Sequence, residues 1–287
     1  MEFDLSLDAR YGELVQLTPL IGRVLAPNPG PYTFRGTGVY IIGGSESVAV
    51  IDPGPDIPEH LEALKRAIGG RKLSHILITH THLDHSPAAR PLKQWSGAKT
   101  YAFGPHREGS DSGGDSGILF VPDISVADGA LLLGQDFTLQ CVFTPGHASN
   151  HMCYALNEEK ALFTGDHVMG WSTSVIAPPD GNMGAYMASL EKLIARDDVI
   201  LYPTHGSPIP QPGRLLKAYL SHRRMREAQI AALLARGECD ITAIVARLYA
   251  GLKPELVPAA ALTVRAHLEH MVEDGRVRRD GDNWKAG

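Results

Sequence analysis

The chain has 287 residues, 44% of them hydrophobic, with 27 basic and 32 acidic side chains and a net charge of −5. That is enough apolar material for one large core and a small second one, so two domains are expected. No run approaches about 20 consecutive apolar residues, and Met1-Glu2-Phe3-Asp4 lacks the basic-then-apolar pattern of a signal peptide, so neither a membrane span nor export is expected.

In chain order, strand-like runs at 38–42 and 48–51 come first, and a helix is expected at 58–68 from apolar residues at three- and four-residue spacing. Asp52, in Val48-Ala49-Val50-Ile51-Asp52-Pro53-Gly54, has the position of a turn-starting aspartate. A third apolar run, Ile76-Leu77-Ile78, leads directly into Thr79-His80-Thr81-His82-Leu83-Asp84-His85. Alternate residues of an extended segment point the same way, so His80 and His82 can converge on one ion while the bend after them presents Asp84 and His85 to a second. The plain alternative, a histidine-rich surface loop, leaves unexplained why the loop hangs off a buried strand. Ser86 suits a helix cap and Pro87 a first helical position.

Residues 104–117 are rich in Gly and Ser without periodicity, which reads as a flexible loop, either a lid over the metals or a disordered insertion. His106 within it is too weakly placed to count as a ligand. Further strands are expected at 139–143 and 161–163 and a helix at 183–195. Mixed strands with intervening helices fit a layered α/β sandwich. Three more ligand candidates follow apolar runs beside Gly or Pro: His147 in Thr144-Pro145-Gly146-His147, Asp166 in Thr164-Gly165-Asp166, and His205 in Pro203-Thr204-His205-Gly206. Singly, each has an ordinary explanation, a hydrogen-bonded histidine or a turn dipeptide. Together they complete a set of seven ligands on the loops at one rim of a sheet scaffold. Cys141, Cys153 and Cys239 form no disulfide framework and read as small buried hydrophobes, with a reducing cytoplasm as the expected setting.

The character changes after residue 213. Helices are expected at 214–236, 241–249 and 259–274, followed by a hairpin turned at Asp280-Gly281, the outline of a winged helix. Residues 1–213 carry 14 basic and 23 acidic side chains, whereas 214–287 carry 13 and 9. A basic module beside a phosphodiester-type metal site would suit RNA; equally, it could buttress the catalytic part or form a homodimer contact.

His80-x-His82-x-Asp84-His85 with His147, Asp166 and His205 resembles the ligand set of the metallo-β-lactamase superfamily. The resemblance implies a four-layer αββα sandwich in which His80, His82 and His147 hold one zinc, Asp84, His85 and His205 hold a second, and Asp166 bridges them. Asp52 matches that family's first motif, a carboxylate orienting a ligand histidine. Imidazole and carboxylate donors suit two Zn²⁺ but also accept Mn²⁺ or Fe. Asp166 is the ligand that true β-lactamases of the superfamily lack, which argues against antibiotic hydrolysis. A closer similarity covers nearly the whole chain: Asn28-Pro29-Gly30-Pro31-Tyr32-Thr33-Phe34-Arg35-Gly36-Thr37, Gly165-Asp166-His167 and Tyr219-Leu220-Ser221-His222-Arg223 resemble the lactamase-β-like protein 2 group. Its members add a small C-terminal winged helix and include an endoribonuclease and thioesterases. The chain departs from that group at Gly38, where Asn is usual, and at Pro87-Ala88, where Gly-Gly is common.

The implied activity is that of a dinuclear hydrolase, in which two zinc ions about 3.5 to 4 Å apart share an acidified water. Asp84 is then both ligand and proton acceptor. His151, four residues past His147, and His167, beside Asp166, are the candidate proton donors to the leaving group; His151 has a structural role at a strand start as its other reading. Three functions stay open: hydrolysis of single-stranded RNA, hydrolysis of a thioester or lactone, and a nucleic-acid-binding regulator with a metal-sensing domain.

Overall fold

The apolar runs alternate between two faces, and both faces are covered. In the computed structural model, which describes residues 2–105, 120–237, 240–281 and 283–287, the first sheet runs in chain order. It consists of β1 (Leu14–Gln16), β2 (Ile21–Leu25), β3 (Gly38–Ile42), β4 (Ser47–Ile51), β5 (Lys72–Leu77), β6 (Lys99–Ala102) and β7 (Ile124–Ser125). The second sheet comprises β8 (Leu131–Leu133), β9 (Thr138–Phe143), β10 (Met152–Leu156), β11 (Ala161–Gly165), β12 (Ile200–Pro203) and β13 (Ile209–Pro210), in the order β13-β12-β11-β10-β9-β8.

Tyr40, Ile42, Ala49 and Ile51 meet Leu139, Cys141, Tyr154 and Phe163 between the sheets. Their neighbours Val39, Ile41, Val48 and Val50 face outward, under helix α1 (Pro58–Ile68) with its Ala63, Leu64 and Ile68 and helix α2 (Ala89–Ser96) with Ala89 and Leu92. Val142, Cys153, Ala155 and Leu162 likewise pack under α3 (Met183–Ile194) and α4 (Gly213–Leu234). The period of two therefore builds four layers, helix, sheet, sheet, helix, as the resemblance implies.

Helix α4 belongs to two cores. Its Leu216, Tyr219 and Leu220 pack on the second sheet. Further along, Ile230, Leu233 and Leu234 join α5 (Ile241–Leu248), α6 (Val257–Glu273) and the hairpin of β14 (Val277–Asp280) and β15 (Asn283–Ala286) in a separate cluster that includes Val264, Leu268 and Trp284. The hairpin turn falls one residue later than expected: Asp280 pairs with Asn283, and Gly281 at φ +60° enters the turn.

Ser86 does not cap α2, which starts at Ala89 without a side-chain cap; its hydroxyl turns back toward Thr81 O and His82 O, both at 3.4 Å. The loop expected at 104–117 lies outside the described residues from 106 onward, as do His106 and Cys239. Among the described residues, no helix is long and apolar enough to cross a membrane.

Candidate metal centre

Strand direction places the site. β4 and β5 are parallel, as are β11 and β12, and β9 runs with β11 because both are antiparallel to β10. Asp52 follows β4, the His80–His85 segment follows β5, His147 follows β9, Asp166 follows β11 and His205 follows β12. Every candidate thus sits beyond a carboxyl end at one rim, where strands splay and loops can converge. Backbone bonds across the rim, Met152 N–H to Thr79 O at 2.8 Å and Gly38 N–H to Thr204 O at 2.7 Å, join the two sheets there.

The seven residues form two groups, His80, His82 and His147, and Asp84, His85, Asp166 and His205, with the potential ligand atoms of each group within 4.8 Å of one another. In the first, His82 Nδ1 stands 2.8 Å from His80 Nε2 and 3.2 Å from His147 Nε2. A tetrahedral ion with ligands at about 2.1 Å would separate its nitrogens by about 3.4 Å, so a small opening would admit one. In the second, Asp84 Oδ2 lies 3.0 Å from His205 Nε2 and 3.5 Å from His85 Nε2. Asp166 faces both groups. Its Oδ1 is 3.5 Å from His85 Nε2 and 3.4 Å from His205 Nε2, and its Oδ2 is 3.7 Å from His147 Nε2.

The outer nitrogens of four of the histidines are anchored, which fixes where their lone pairs point. His147 Nδ1 donates to Val175 O at 2.6 Å, His205 Nδ1 to Gly36 O at 3.1 Å and His85 Nδ1 to Asp52 Oδ2 at 2.8 Å. Asp52 serves a second histidine as well. The single hydroxyl proton of Thr79 goes to Asp52 Oδ2 at 2.7 Å, so Thr79 Oγ1 is left to accept from His80 Nδ1 at 3.0 Å. Thr204 Oγ1 and Thr79 N–H complete the carboxylate's partners. Asp52 sits at φ +48°, a sparsely populated conformation that aspartate tolerates better than most residues. The chain bends at Pro55, and no turn begins at Asp52. Gly165, at φ +51°, leaves room for the same packing: a Cβ there would lie 2.6 Å from His151 Nε2 and 2.8 Å from Thr79 Oγ1.

Sequence reasoning did not single out Thr79, Thr204 or the carbonyls of Gly36 and Val175. Thr79 and Thr204 each directly precede a candidate histidine at a strand end, and that is the signal by which they could have been found.

The donors suit cations. His85 Nε2, His205 Nε2 and Asp166 Oδ1 are buried and make only ion-pair contacts of 3.0–3.5 Å to one another and to Asp84, with no directed hydrogen bond, a costly state unless something else completes them. Burial, reinforced by neighbouring imidazoles, holds His80 well below the ordinary histidine range and His82 down to about 4, so these two offer neutral lone pairs at neutral pH. In the second group burial opposes charge. The carboxylates of Asp84, Asp166 and Asp52 nevertheless raise His85 well above its usual value, and the histidines lower Asp84 and Asp166. That group draws in positive charge. His151 and His167 lie fully buried behind the first group, ring centroids 5.8 Å apart, with His151 Nδ1 2.9 Å from Thr144 Oγ1 and His167 packed on Tyr186.

Comparison with known proteins agrees with this geometry. A family model described as the metallo-beta-lactamase superfamily matches residues 32–205, and one described as the beta-lactamase associated winged helix domain matches 241–284. The lactamase-like protein adaB of Aspergillus niger is 30% identical over 95% of this chain and 86% of its own. The atrochrysone carboxyl ACP thioesterase AgnL7 of Paecilomyces divaricatus is 33% identical over 78% of this chain and 67% of its own. A beta-lactamase domain protein from Burkholderia ambifaria shares the fold, with a TM-score of 0.83 and 17% identity over 98% of this chain and 96% of its own.

Proposed function

Because the chain belongs to the metallo-beta-lactamase superfamily, and is thereby a metal-dependent hydrolase, we propose that it works with two metal ions and that its substrate is a thioester. The observation carrying the dinuclear reading is Asp166, which turns one carboxylate oxygen toward each donor group. His80, His82 and His147 would hold one ion, Asp84, His85 and His205 the other, with Asp166 between them. Zn²⁺ suits these nitrogen and oxygen donors, and Mn²⁺ or Fe is chemically compatible. When bound, a pair of divalent cations supplies Lewis acidity, making water nucleophilic near neutral pH and stabilising charge on a carbonyl oxygen.

The chain's own residues do the rest. Asp84, whose side chain is 25% exposed and which with the half-buried His82 and His147 lies on the open side of the site, is placed to accept the proton of the attacking water. Asp52 keeps the His85 ring directly, and the His80 ring through Thr79, in the tautomer that turns Nε2 inward. His151 and His167 are fully buried, and burial holds both well below the ordinary histidine range, so neither is poised as an acid at neutral pH. A thiolate, which departs without needing a proton, fits that arrangement better than an alkoxide, and relatives named as thioesterases support the same choice. Buried Cys141 and Cys153, both thiols pushed up to about 12 by burial, are compatible with a reducing cytoplasm.

Hydrolysis of single-stranded RNA is the second reading, favoured by Arg278 and Arg279 lying exposed on the β14–β15 hairpin of the basic C-terminal segment. One assay separates the two: zinc-loaded protein on a panel of acyl-thioesters and lactones and on a short single-stranded RNA, with Asp84→Asn as the blank. Thioester turnover should appear and fall by about 10²-fold or more in the variant. RNA cleavage without thioester turnover would overturn the substrate assignment and give the hairpin a binding role.

A further inference from the structure

The loop between β2 and β3 carries the Asn28–Thr37 motif, which the reaction outlined above does not use. Its side-chain bonding converges on one residue. Asn28 Oδ1 accepts from Thr37 N–H at 2.9 Å, Asn28 Nδ2 donates to Thr37 Oγ1 at 3.0 Å, and Thr33 Oγ1 donates to Asn28 O at 2.6 Å. Gly36 between them lies at φ +123°, where a Cβ would come within 2.2 Å of Ala26 O, so the chain can close this tightly only with glycine.

What the closed loop holds lies outside it. Thr37 is fully buried, and its hydroxyl, already accepting from Asn28, donates to Asp84 O at 3.0 Å. The carbonyl of Gly36 accepts from His205 Nδ1 at 3.1 Å. Beside the backbone bonds from Ala26 N–H to Thr37 O and Gly36 N–H to Thr33 O, both at 2.8 Å, Asn28 is the side chain that ties down the segment gripping Asp84 and His205, the pair whose Oδ2 and Nε2 stand 3.0 Å apart at the centre of the second group. The first group has separate anchors, Thr79 for His80 and Val175 for His147.

We infer that Asn28, acting through Thr37 and Gly36, is a positioning residue that sets metal affinity at the second group without affecting the first, and so governs whether the enzyme is mononuclear or dinuclear. The inference rests on the dinuclear reading. Loss of a partner that orients metal ligands typically costs about 10–100-fold in affinity, and here that loss should fall on one ion of the two.

The test is zinc content of the full chain after equilibrium dialysis against graded chelator, with melting temperature measured alongside. The wild type should hold two ions. Asn28→Ala and Thr37→Val should release one of them at about 10–100-fold lower chelator strength and keep the other as tightly as wild type, while Thr37→Ser, which retains the hydroxyl, should behave as wild type. Should Asn28→Ala fail to fold, the Thr37→Val and Thr37→Ser pair reads the same link. Both ions weakened alike, or neither weakened, overturns the inference while leaving the dinuclear reading intact. A wild type that binds fewer than two ions overturns both.

Discussion

Two buried clusters of titratable side chains, one at the sheet rim and one where α4 meets α6, are built from similar residues and do opposite things. At the joint, opposite charges meet and complete each other. Glu227 Oε1 takes His270 Nδ1 at 2.7 Å and His267 Nδ1 at 3.5 Å, Oε2 takes Arg276 at 2.8 Å, and Arg276 also reaches Asp274 at 2.7 Å. At the rim, the outer nitrogens of His80, His85, His147 and His205 are paired while the inner atoms converge, leaving His85 Nε2, His205 Nε2 and Asp166 Oδ1 buried with ion-pair contacts of 3.0–3.5 Å among themselves and Asp84 but no directed hydrogen bond. The joint leaves His267 Nε2 similarly alone, but both oxygens of its carboxylate are taken. A polar cluster whose carboxylates are satisfied serves the fold; one whose carboxylate and imidazoles converge unsatisfied is arranged for a cation.

The strongest way to break that contrast is through Asp52, the residue that pairs with the rim from behind. Asp52→Asn replaces an acceptor of several hydrogen bonds with a group that turns a donor toward one of them. Because Asp52 orients His85 directly and His80 through Thr79, zinc affinity should fall about 10–100-fold at both groups, with hydrolysis falling in step. Thr79→Val interrupts only the path to His80 and should weaken the first group alone. Metal titrations in which Asp52→Asn spared the first group would show that the Thr79 link carries nothing.

A smaller effect is expected at the joint. Glu227→Gln keeps the shape of the side chain and removes its charge. Arg276 retains Asp274 and is 42% exposed, so it is not stranded, and the loss should be about 1.5–3 kcal/mol of stability, the range for a hydrogen bond to a charged group. Turnover measured well below the melting temperature should not change. A drop in kcat with unchanged unfolding free energy would mean that the joint communicates with the rim.

The same contrast explains what could be read before the structure. The two clusters of candidate donors were legible because each donor is encoded locally, a histidine or aspartate just after an apolar strand. Helix α1 was legible to its ends because Pro58 opens it and its apolar spacing continues to Ile68. The anchors were not legible. Two of them are backbone carbonyls, Val175 O and Gly36 O, which any residue could supply, and their partners lie 28 and 169 residues away in sequence. Nor was the dual use of Asp52, because its link to His80 depends on which way one threonine hydroxyl points. β2 gave little alternation, since all five of its residues are buried and Gly22 and Arg23 interrupt the apolar pattern. The joint was invisible for the same reason as the anchors: Glu227 meets His270 and Arg276 more than 40 residues on, and nothing in α4 alone marks that glutamate as buried.

Acid sharpens the distinction most finely. Burial is the largest influence on both His267 and Glu227. It lowers His267 from 6.5 to about 4, despite the glutamate beside it. It would raise Glu227, but the hydrogen bonds from His267, His270 and Arg276 outweigh it and lower that carboxyl from 4.5 to about 2. Between pH 6.5 and about 4 the unfolded chain takes up a proton at His267 that the folded chain refuses, so stability falls with pH across that window. Glu227 extends the fall: its contribution is complete above pH 4.5 and is lost as pH drops toward about 2. Glu227→Gln has no carboxyl to protonate. Denaturant unfolding of wild type and variant should therefore differ most near neutrality and converge below pH 4.5, with the contributions of the rim histidines cancelling in the difference. A gap that stayed constant down to pH 2 would mean that Glu227 stabilises the joint by its shape and not by its charge.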